Sequence, residues 1–471
     1  MSTEPVNIDL SADLQQLIRS DLAWHYRIIP KESTDSSAAF YIDSETDMQL
    51  AREELEALLG IKVSLEPLST QMIQRSLGRY YRNTNDQEQK IAFDAKIDFV
   101  DRLIQEANNL GSSDIHIEIF GDKARVRMRI DGNLIQRYVV EKTDYPELVN
   151  KIKIRSNLDI SEKRLPQDGR IQYEDFDIRV SILPTLHGEK IVLRILGHDA
   201  SSISIEKLGF SGIEKKYYLE GIKKPNGIIL ISGPTGSGKT TTLYATLKLL
   251  NDEKRNIVTV EDPIEYTLEG INQVQLKESI GLTFASALRS FLRQDPDVIM
   301  LGEIRDAETA QMAIRAALTG HLVLSTIHTN SAWGTISRLI DMGVPSFLLA
   351  NTINSSVAQR LVRKLCTSCK TEAPLDPKDW PIGSSQVNIP EKHMVAVGCD
   401  KCHYTGYKGR MALYEIIPVD QELAGCIKNN DNHVEDLLAK RGISNLATRA
   451  LEVLTAGTTS LEEVYALLTG Y

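Results

Sequence analysis

Apolar positions recur with different spacings along this chain, and each change of spacing marks a new element. Ala51–Leu59 (AREELEALL) repeats at helical intervals, Ile61–Leu65 reads as a strand, and Ser69–Tyr81 returns to helical spacing. A small α+β module over residues 1–82 is the expectation. Asn83–Lys90 (NTNDQEQK) has no apolar residue and reads as a flexible linker. Residues 91–200 predict a second α+β unit, a mix of helix and antiparallel sheet. Asp94–Leu110 is an amphipathic helix with Ile97, Val100, Leu103, Ile104 and Ala107 on one face and Gly111 to end it. Ile115–Ile119 and Ala124–Ile130 alternate apolar and polar residues around a hairpin turn at Phe120-Gly121-Asp122-Lys123. Leu148–Leu158 is helical, and Ile171–Tyr173, Phe176–Leu183 and Ile191–Ile195 read as further strands. Gly197–Ser204 is a serine-rich tether.

Residues 206–365 alternate strand and helix, the pattern of a mostly parallel α/β sheet. The apolar run Ile228–Ile231 meets Gly233-Pro234-Thr235-Gly236-Ser237-Gly238-Lys239-Thr240, then Thr241 and a helix through Leu250. Every fixed position of G-x-x-x-x-G-K-[ST] is filled. Glycines let the backbone curl so that its N–H groups face phosphate oxygens, and the helix N-terminus adds positive potential. Lys239 then reaches the β- and γ-phosphates of a bound ATP, and the Thr240 hydroxyl can ligate Mg²⁺.

The following strands carry chemistry at their ends. Ile257–Val260 delivers Glu261-Asp262-Pro263-Ile264-Glu265, Asp297–Leu301 delivers Gly302-Glu303, and Leu322–Ser325 delivers Thr326-Ile327-His328-Thr329. Ligands of open α/β sheets sit where strands end. A nucleotide hydrolase needs a group for the metal or its water, a carboxylate for the attacking water, and a polar group near the γ-phosphate. Glu261, Asp262, Glu265, Glu303 and His328 are therefore candidate catalytic residues. Glu303 alone could be a helix cap, and His328 alone a histidine satisfied near the core. His321 precedes its strand and is the weaker candidate.

Composition narrows the class. A net charge of −10 argues against non-specific nucleic-acid binding, and 42% hydrophobic with 25% charged residues is ordinary for a soluble globular protein. No window approaches roughly eighteen uninterrupted apolar residues, and the acidic N-terminus has no leader-like core, so a cytoplasmic protein with no transmembrane segment is expected. The basic exception is Arg164, Arg170, Arg179 and Arg194, around RLPQDGR. Singly such residues are solvated strand-face charges; together, near a phosphate-binding domain, they are candidates for phosphate sensing. The five cysteines give two CxxC pairs, Cys366/Cys369 and Cys399/Cys402, with Cys426 left for ordinary packing. Two such pairs make a tetrahedral Cys₄ site for structural Zn²⁺; a redox pair or an Fe–S cluster is the alternative. The remainder, within residues 366–471, reads as helical.

Taken together these motifs resemble the ATPases of bacterial type II secretion and type IV pilus assembly. The resemblance rests on GPTGSGKTTTLYATL at 233–247, IVTVEDPIEY at 257–266 and LRQDPDVIMLGEIRDAETAQMAIRAALTGHLVLSTIHTN at 292–330. SSDIHIE at 112–118, RLPQDGR at 164–170, AQRLVRKLC at 358–366 and GYKGRMALYEI at 406–416 add to it. It covers about residues 91–420, with residues 1–90 only loosely similar. It implies a RecA-like P-loop ATPase domain with preceding α+β domains and a zinc-stapled, helical C-terminal part. It also implies a homo-hexamer at the inner membrane, held there through a platform protein and its cytoplasmic adaptor, with no direct nucleic acid. Hydrolysis would turn the second domain against the ATPase domain, so that the platform extrudes pilin-like subunits into a pseudopilus or pilus. The implied roles are Lys239 and Thr240 on nucleotide and Mg²⁺, Glu303 on the metal or its water, Glu265 as water activator, and His328 near the γ-phosphate. Arg164, Arg170 and Arg179 match basic residues that approach phosphates, and Arg289 and Arg293 are further candidates. The tetracysteine resembles assembly and secretion members, while retraction ATPases typically lack it. An RLG-type motif for cyclic di-GMP is missing from residues 1–90.

Competing readings remain at this level. Type IV pilus assembly is scarcely separated from type II secretion by these residues. A RecA-like nucleic-acid translocase would want basic, aromatic-bearing pore loops, which the acidic balance and 6% aromatic content disfavour. A nucleotide-regulated adaptor without turnover would not need the full carboxylate set.

Overall fold

The structure is a computed structural model that describes residues 8, 10, 14, 17–34, 36–81, 89–90, 99–121, 123–174, 176–197, 203–381, 389–431 and 433–469. The chain forms two compact units. One comprises Met1–Ile195 with Lys364–Pro374 and Lys392–Gly409; the other comprises Leu196–Arg363 with Leu375–Glu391 and Arg410–Tyr471. Among the described residues no helix is long and apolar enough to cross a membrane.

The first unit begins with a three-stranded sheet in the order Ile28–Thr34, Ser37–Asp43, Lys62–Leu68. The first pair is antiparallel and the second parallel. Helix Met48–Leu59 starts where the Asp47 carboxylate accepts the N–H groups of Gln49 and Leu50, and stops at Gly60 in the left-handed region. It and Thr70–Tyr80 bury Ala51, Leu55, Ile73 and Leu77 against Phe40 and Ile42. The helices were expected; the hairpin Ile28–Asp43 was not, because its burial pattern does not alternate cleanly along the first strand.

A seven-stranded sheet follows, with helices Phe99–Asn109 and Tyr145–Arg155 sharing its apolar core. The expected hairpin is present as Asp114–Ile119 and Ala124–Ile130 in antiparallel register. Asn133–Val140 is a further strand, beyond those expected. Residues 94–98 of the expected helix, 83–88 of the expected linker and 198–202 of the expected tether lie outside the described residues. Gln89–Lys90 pairs with Tyr138 and Val139 as a short parallel strand instead of continuing a linker. The sheet's other face is a charge ladder: Asp114 lies opposite Arg129, and Glu118 opposite Arg125. Burial alone would raise the Glu118 carboxyl, but hydrogen bonds from Arg127, Arg125 and Lys190 hold it at about 2.

The second unit is built on a seven-stranded sheet in the order Asn272–Gln275, Ile257–Glu261, Val298–Leu301, Leu322–Ile327, Gly227–Ser232, Ile353–Leu365, Tyr407–Pro418. The pairings from Asn272–Gln275 across to Ile353–Leu365 are parallel. Apolar side chains cover both faces in two clusters, one with Val260, Leu301 and Ile327, the other with Ile229, Ile231 and Leu324. Burial on both faces is why these strands are continuous apolar runs. The last two strands escaped the reading, and the segment after Cys366 is not helical throughout. Tyr407–Pro418 is a sheet strand, and helices occupy Gln421–Lys428, Glu435–Lys440, Leu446–Thr455 and Leu461–Leu468.

Candidate active site

The strand Gly227–Ser232 is buried along its whole length and lies between Leu322–Ile327 and Ile353–Leu365. Its end passes into the phosphate-loop sequence, and helix Lys239–Leu250 follows. Gly238 stands at φ 88°, and a Cβ there would come 2.8 Å from Gln359 Nε2; a Cβ on Gly233 would come 2.5 Å from the Gln359 carbonyl. Only glycine allows both the curl and the close approach. Gln359 braces the loop: its Nε2 donates to the Ser237 carbonyl at 2.9 Å, and its Oε1 accepts from the Thr242 hydroxyl at 2.9 Å. Pro234, Thr235, Gly236, Thr240 and Thr241 are exposed along the loop and first helical turn.

Two observations fit the loop to a phosphate chain. Ser237 Oγ is buried without a hydrogen-bond partner. Lys239 Nζ donates back to the loop's own carbonyls, Gly233 at 2.7 Å and Pro234 at 3.0 Å. Burial holds this lysine below its ordinary range, Glu303 opposes that, and Arg360 adds to it.

The neighbouring strand ends bring in the carboxylates. Gly302 N–H donates to the Val260 carbonyl at 2.8 Å, and Thr326 Oγ1 to the Gly302 carbonyl at 2.7 Å. Glu303 is thereby fixed between the strand of Glu261 and the strand of His328. Its Oε2 lies 3.4 Å from His328 Nε2, and its Oε1 accepts from Arg305. Arg305 Nη2 also lies 3.6 Å from Asp262 Oδ2. The structure thus brings Asp262 and Glu303 to Arg305, a cation that sequence reasoning missed, and sets His328 at the other Glu303 oxygen. The signal for Arg305 was being the first basic residue after the apolar strand.

Glu261 is placed differently. It is buried, and three donors converge on it: Tyr244, Thr259 Oγ1 at 2.7 Å and Gln273 Nε2 at 3.0 Å. Glu265 sits half-buried beyond it, its N–H directed at Tyr244 Oη at 3.3 Å. His321 is at the opposite, starting end of its strand, with Nδ1 2.9 Å from the Ala316 carbonyl. Arg289 pairs with Glu308, and Arg293 donates to the Arg289 carbonyl at 2.9 Å. Arg164, Arg170 and Arg179 belong to the first unit. Arg164 is 90% exposed there, and Arg170 pairs with Asp177 and faces Arg179 across the strand register. Gln359 and Arg360 were also missed; the strand Ile353–Leu365 mixes apolar with polar residues, so neither stands out in its sequence.

In the first unit the four cysteines of the two CxxC pairs come together, all Sγ atoms within 4.8 Å. The Sγ–Sγ separations are 3.9 Å for Cys366–Cys399, 3.8 Å for Cys369–Cys402 and 3.8 Å for Cys399–Cys402. A tetrahedron with metal–sulfur bonds of about 2.3 Å has edges of about 3.8 Å, so the donor set fits a four-coordinate zinc-type ion. Backbone N–H groups of Gly398 and Cys399 donate to Cys369 Sγ at 3.3 Å and Cys402 Sγ at 3.1 Å, which stabilises negative charge on these sulfurs.

Comparison with known proteins agrees with this geometry. A family model described as "Type II/IV secretion system protein" matches residues 89–466. The chain is 42% identical to type II secretion system protein E of Pseudomonas aeruginosa over 433 residues, spanning 91% of this chain and 84% of that protein. It is 38% identical to the type IV pilus assembly ATPase PilB of Myxococcus xanthus over an alignment of 497 residues, covering 97% of this chain and 87% of that one. The crystal structure of the pilus retraction motor PilT with bound ADP aligns at a TM-score of 0.54 and 27% identity, over 79% of this chain and 97% of its own. The phosphate loop, the carboxylate-bearing strand ends and these relatives together place the chain: it belongs to the type II/IV secretion system family of ATPases.

Proposed function

We propose that this protein is a hexameric motor that hydrolyses ATP to assemble the pseudopilus of type II secretion, working at the inner membrane through a platform protein and its cytoplasmic adaptor. The observation that carries the reading is that Asp262, Glu303, His328 and the phosphate loop follow the ends of four neighbouring parallel strands, with Glu303 beside His328. In the working site, backbone N–H groups of Gly233–Thr241 cradle the phosphates. Lys239 exchanges the Gly233 and Pro234 carbonyls for β- and γ-phosphate oxygens. Thr240 and Glu303 hold Mg²⁺, which neutralises phosphate charge. Glu265 accepts the proton of the attacking water, and His328 donates to the γ-phosphate. Arg164, Arg170 and Arg179 counter phosphate charge within the hexamer. Zn²⁺ in the four-cysteine site has a structural role.

A second reading, type IV pilus assembly, is favoured by the span of the PilB relative, which takes in nearly the whole chain, residues before 89 included. ATPase activity measured with and without the cytoplasmic part of each system's platform protein separates the two. Stimulation by the secretion platform alone supports the first reading, and stimulation by the pilus platform alone overturns it.

A further inference from the structure

Glu265 lies on a loop, and a loop carboxylate that activates water needs something to hold it in place. Tyr244 is fully buried on the helix that begins at Lys239. Its hydroxyl is used in both directions, donating to Glu261 Oε2 and accepting the Glu265 N–H at 3.3 Å. The other Glu261 oxygen accepts from Thr259 and from Gln273 Nε2, and that same amide also donates to the Tyr266 carbonyl at 2.9 Å. Gln273 Oε1 in turn accepts the Leu268 N–H at 2.7 Å. The Tyr244 ring meets the Tyr266 ring edge-on with centroids 5.8 Å apart. The segment 261–268 is thus fastened at both ends, and its anchor nearest Glu265 stands on the phosphate-loop helix. We propose that Tyr244, acting through Glu261 and the Glu265 backbone, is a positioning residue that sets the Glu265 carboxylate from the helix that follows the phosphate loop. This deepens the proposed hydrolysis and rests on Glu265 as its water activator.

A purely structural tyrosine would stabilise the core without acting selectively on turnover. Tyr244→Phe keeps the ring and removes the hydroxyl, taking a donor from Glu261 and the oxygen at which the Glu265 N–H is directed. The expected result with the full-length protein is a kcat for ATP lowered roughly tenfold or more, with KM and the affinity for a fluorescent ATP analogue within about twofold of the parent. Glu261→Gln, which is nearly isosteric, should give the same split, and the double variant should lose no more than the larger single effect. Thr246→Val removes a buried hydroxyl from the same helix whose partners are Tyr218, at 2.7 Å, and the Thr242 carbonyl, at 2.8 Å, and should lower melting temperature without that split. Glu265→Gln is measured alongside. If it abolishes turnover while Tyr244→Phe and Glu261→Gln both keep the parent kcat, the positioning role is overturned and Glu265 stands. If Glu265→Gln keeps the parent kcat, the assignment of Glu265 falls and the positioning role falls with it. Should Tyr244→Phe fail to fold, Glu261→Gln decides between these outcomes.

Discussion

Glu415 faces the interior of the second unit from the strand Tyr407–Pro418, where the Ala332 N–H donates to it at 3.3 Å. Burial pushes its carboxyl up from the ordinary 4.5 to about 7, only partly offset by its hydrogen bonds and by Arg360. The folded state therefore binds this proton more tightly than the unfolded state. That contribution is complete below pH 4.5 and is lost as pH rises through about 7, at a cost on the order of 3 kcal/mol by pH 8. Urea unfolding of Glu415→Gln and the parent should show a stability gap in favour of the variant that widens from pH 5 to pH 8. A second residue-scale outcome concerns Lys239, whose hydrogen bonds are to the loop itself. Lys239→Ala should abolish ATP hydrolysis and leave the circular dichroism and melting profile nearly unchanged. At this scale the sequence was legible where chemistry follows a fixed spacing, as at Gly233–Thr240. It was not legible where a role depends on a partner far along the chain. Gln359 matters because it meets Ser237 and Thr242, and Tyr244 because it meets Glu261 and Glu265. No local pattern encodes such meetings.

Among the elements, the phosphate loop is shaped by the strand beside it as much as by its own glycines. Parallel pairing sets Ser232 against Ala358, so the next residue, Gln359, arrives level with the loop. Gly238→Ala meets two penalties, a left-handed φ and a Cβ pressed on the Gln359 amide. Backbone strain of about 1–3 kcal/mol is expected from the first alone. Calorimetric titration should find ATP binding lost or sharply weakened in this variant. Gln359→Leu should weaken binding less, because the loop keeps its curl but loses its brace. Strands delivering polar clusters from apolar runs were readable in the sequence, and so was the helical spacing of Ala51–Leu59, whose caps Asp47 and Gly60 the structure supplies. Ile353–Leu365 was harder, since its buried positions include Asn354, Ser355, Ser356 and Gln359. A buried strand made partly of polar residues has no hydrophobic signature to find.

For the molecule as a whole, the four-cysteine cluster groups with the first unit although its residues fall, in sequence, between the last two strands of the second unit's sheet. Its thiols are gathered from two separate segments, so an ion held there cross-links parts of the chain that have little core of their own. Metal analysis of reduced protein should find one zinc per chain. Chelation or Cys399→Ser should lower the melting temperature and expose residues 364–409 to protease. Iron in place of zinc, or a thermal profile indifferent to chelator, would contradict the structural role. The fold class was readable from the alternation of strands and helices and the resemblance of the motifs. The path of the chain between units was not, because a return to an earlier core leaves no mark on local periodicity.

That path has a practical outcome. The backbone passes from one unit to the other at residues 195/196, 363/364, 374/375, 391/392 and 409/410. Neither half is a contiguous stretch of gene. A clone stopping at Ile195 omits the cysteine-bearing segments, and one starting at Leu196 carries them away from the rest of the unit they group with. Dissecting this protein into two separately expressed pieces by a single cut would yield incomplete bodies, and the interleaved backbone makes the intact polypeptide the smallest sensible object for biochemistry.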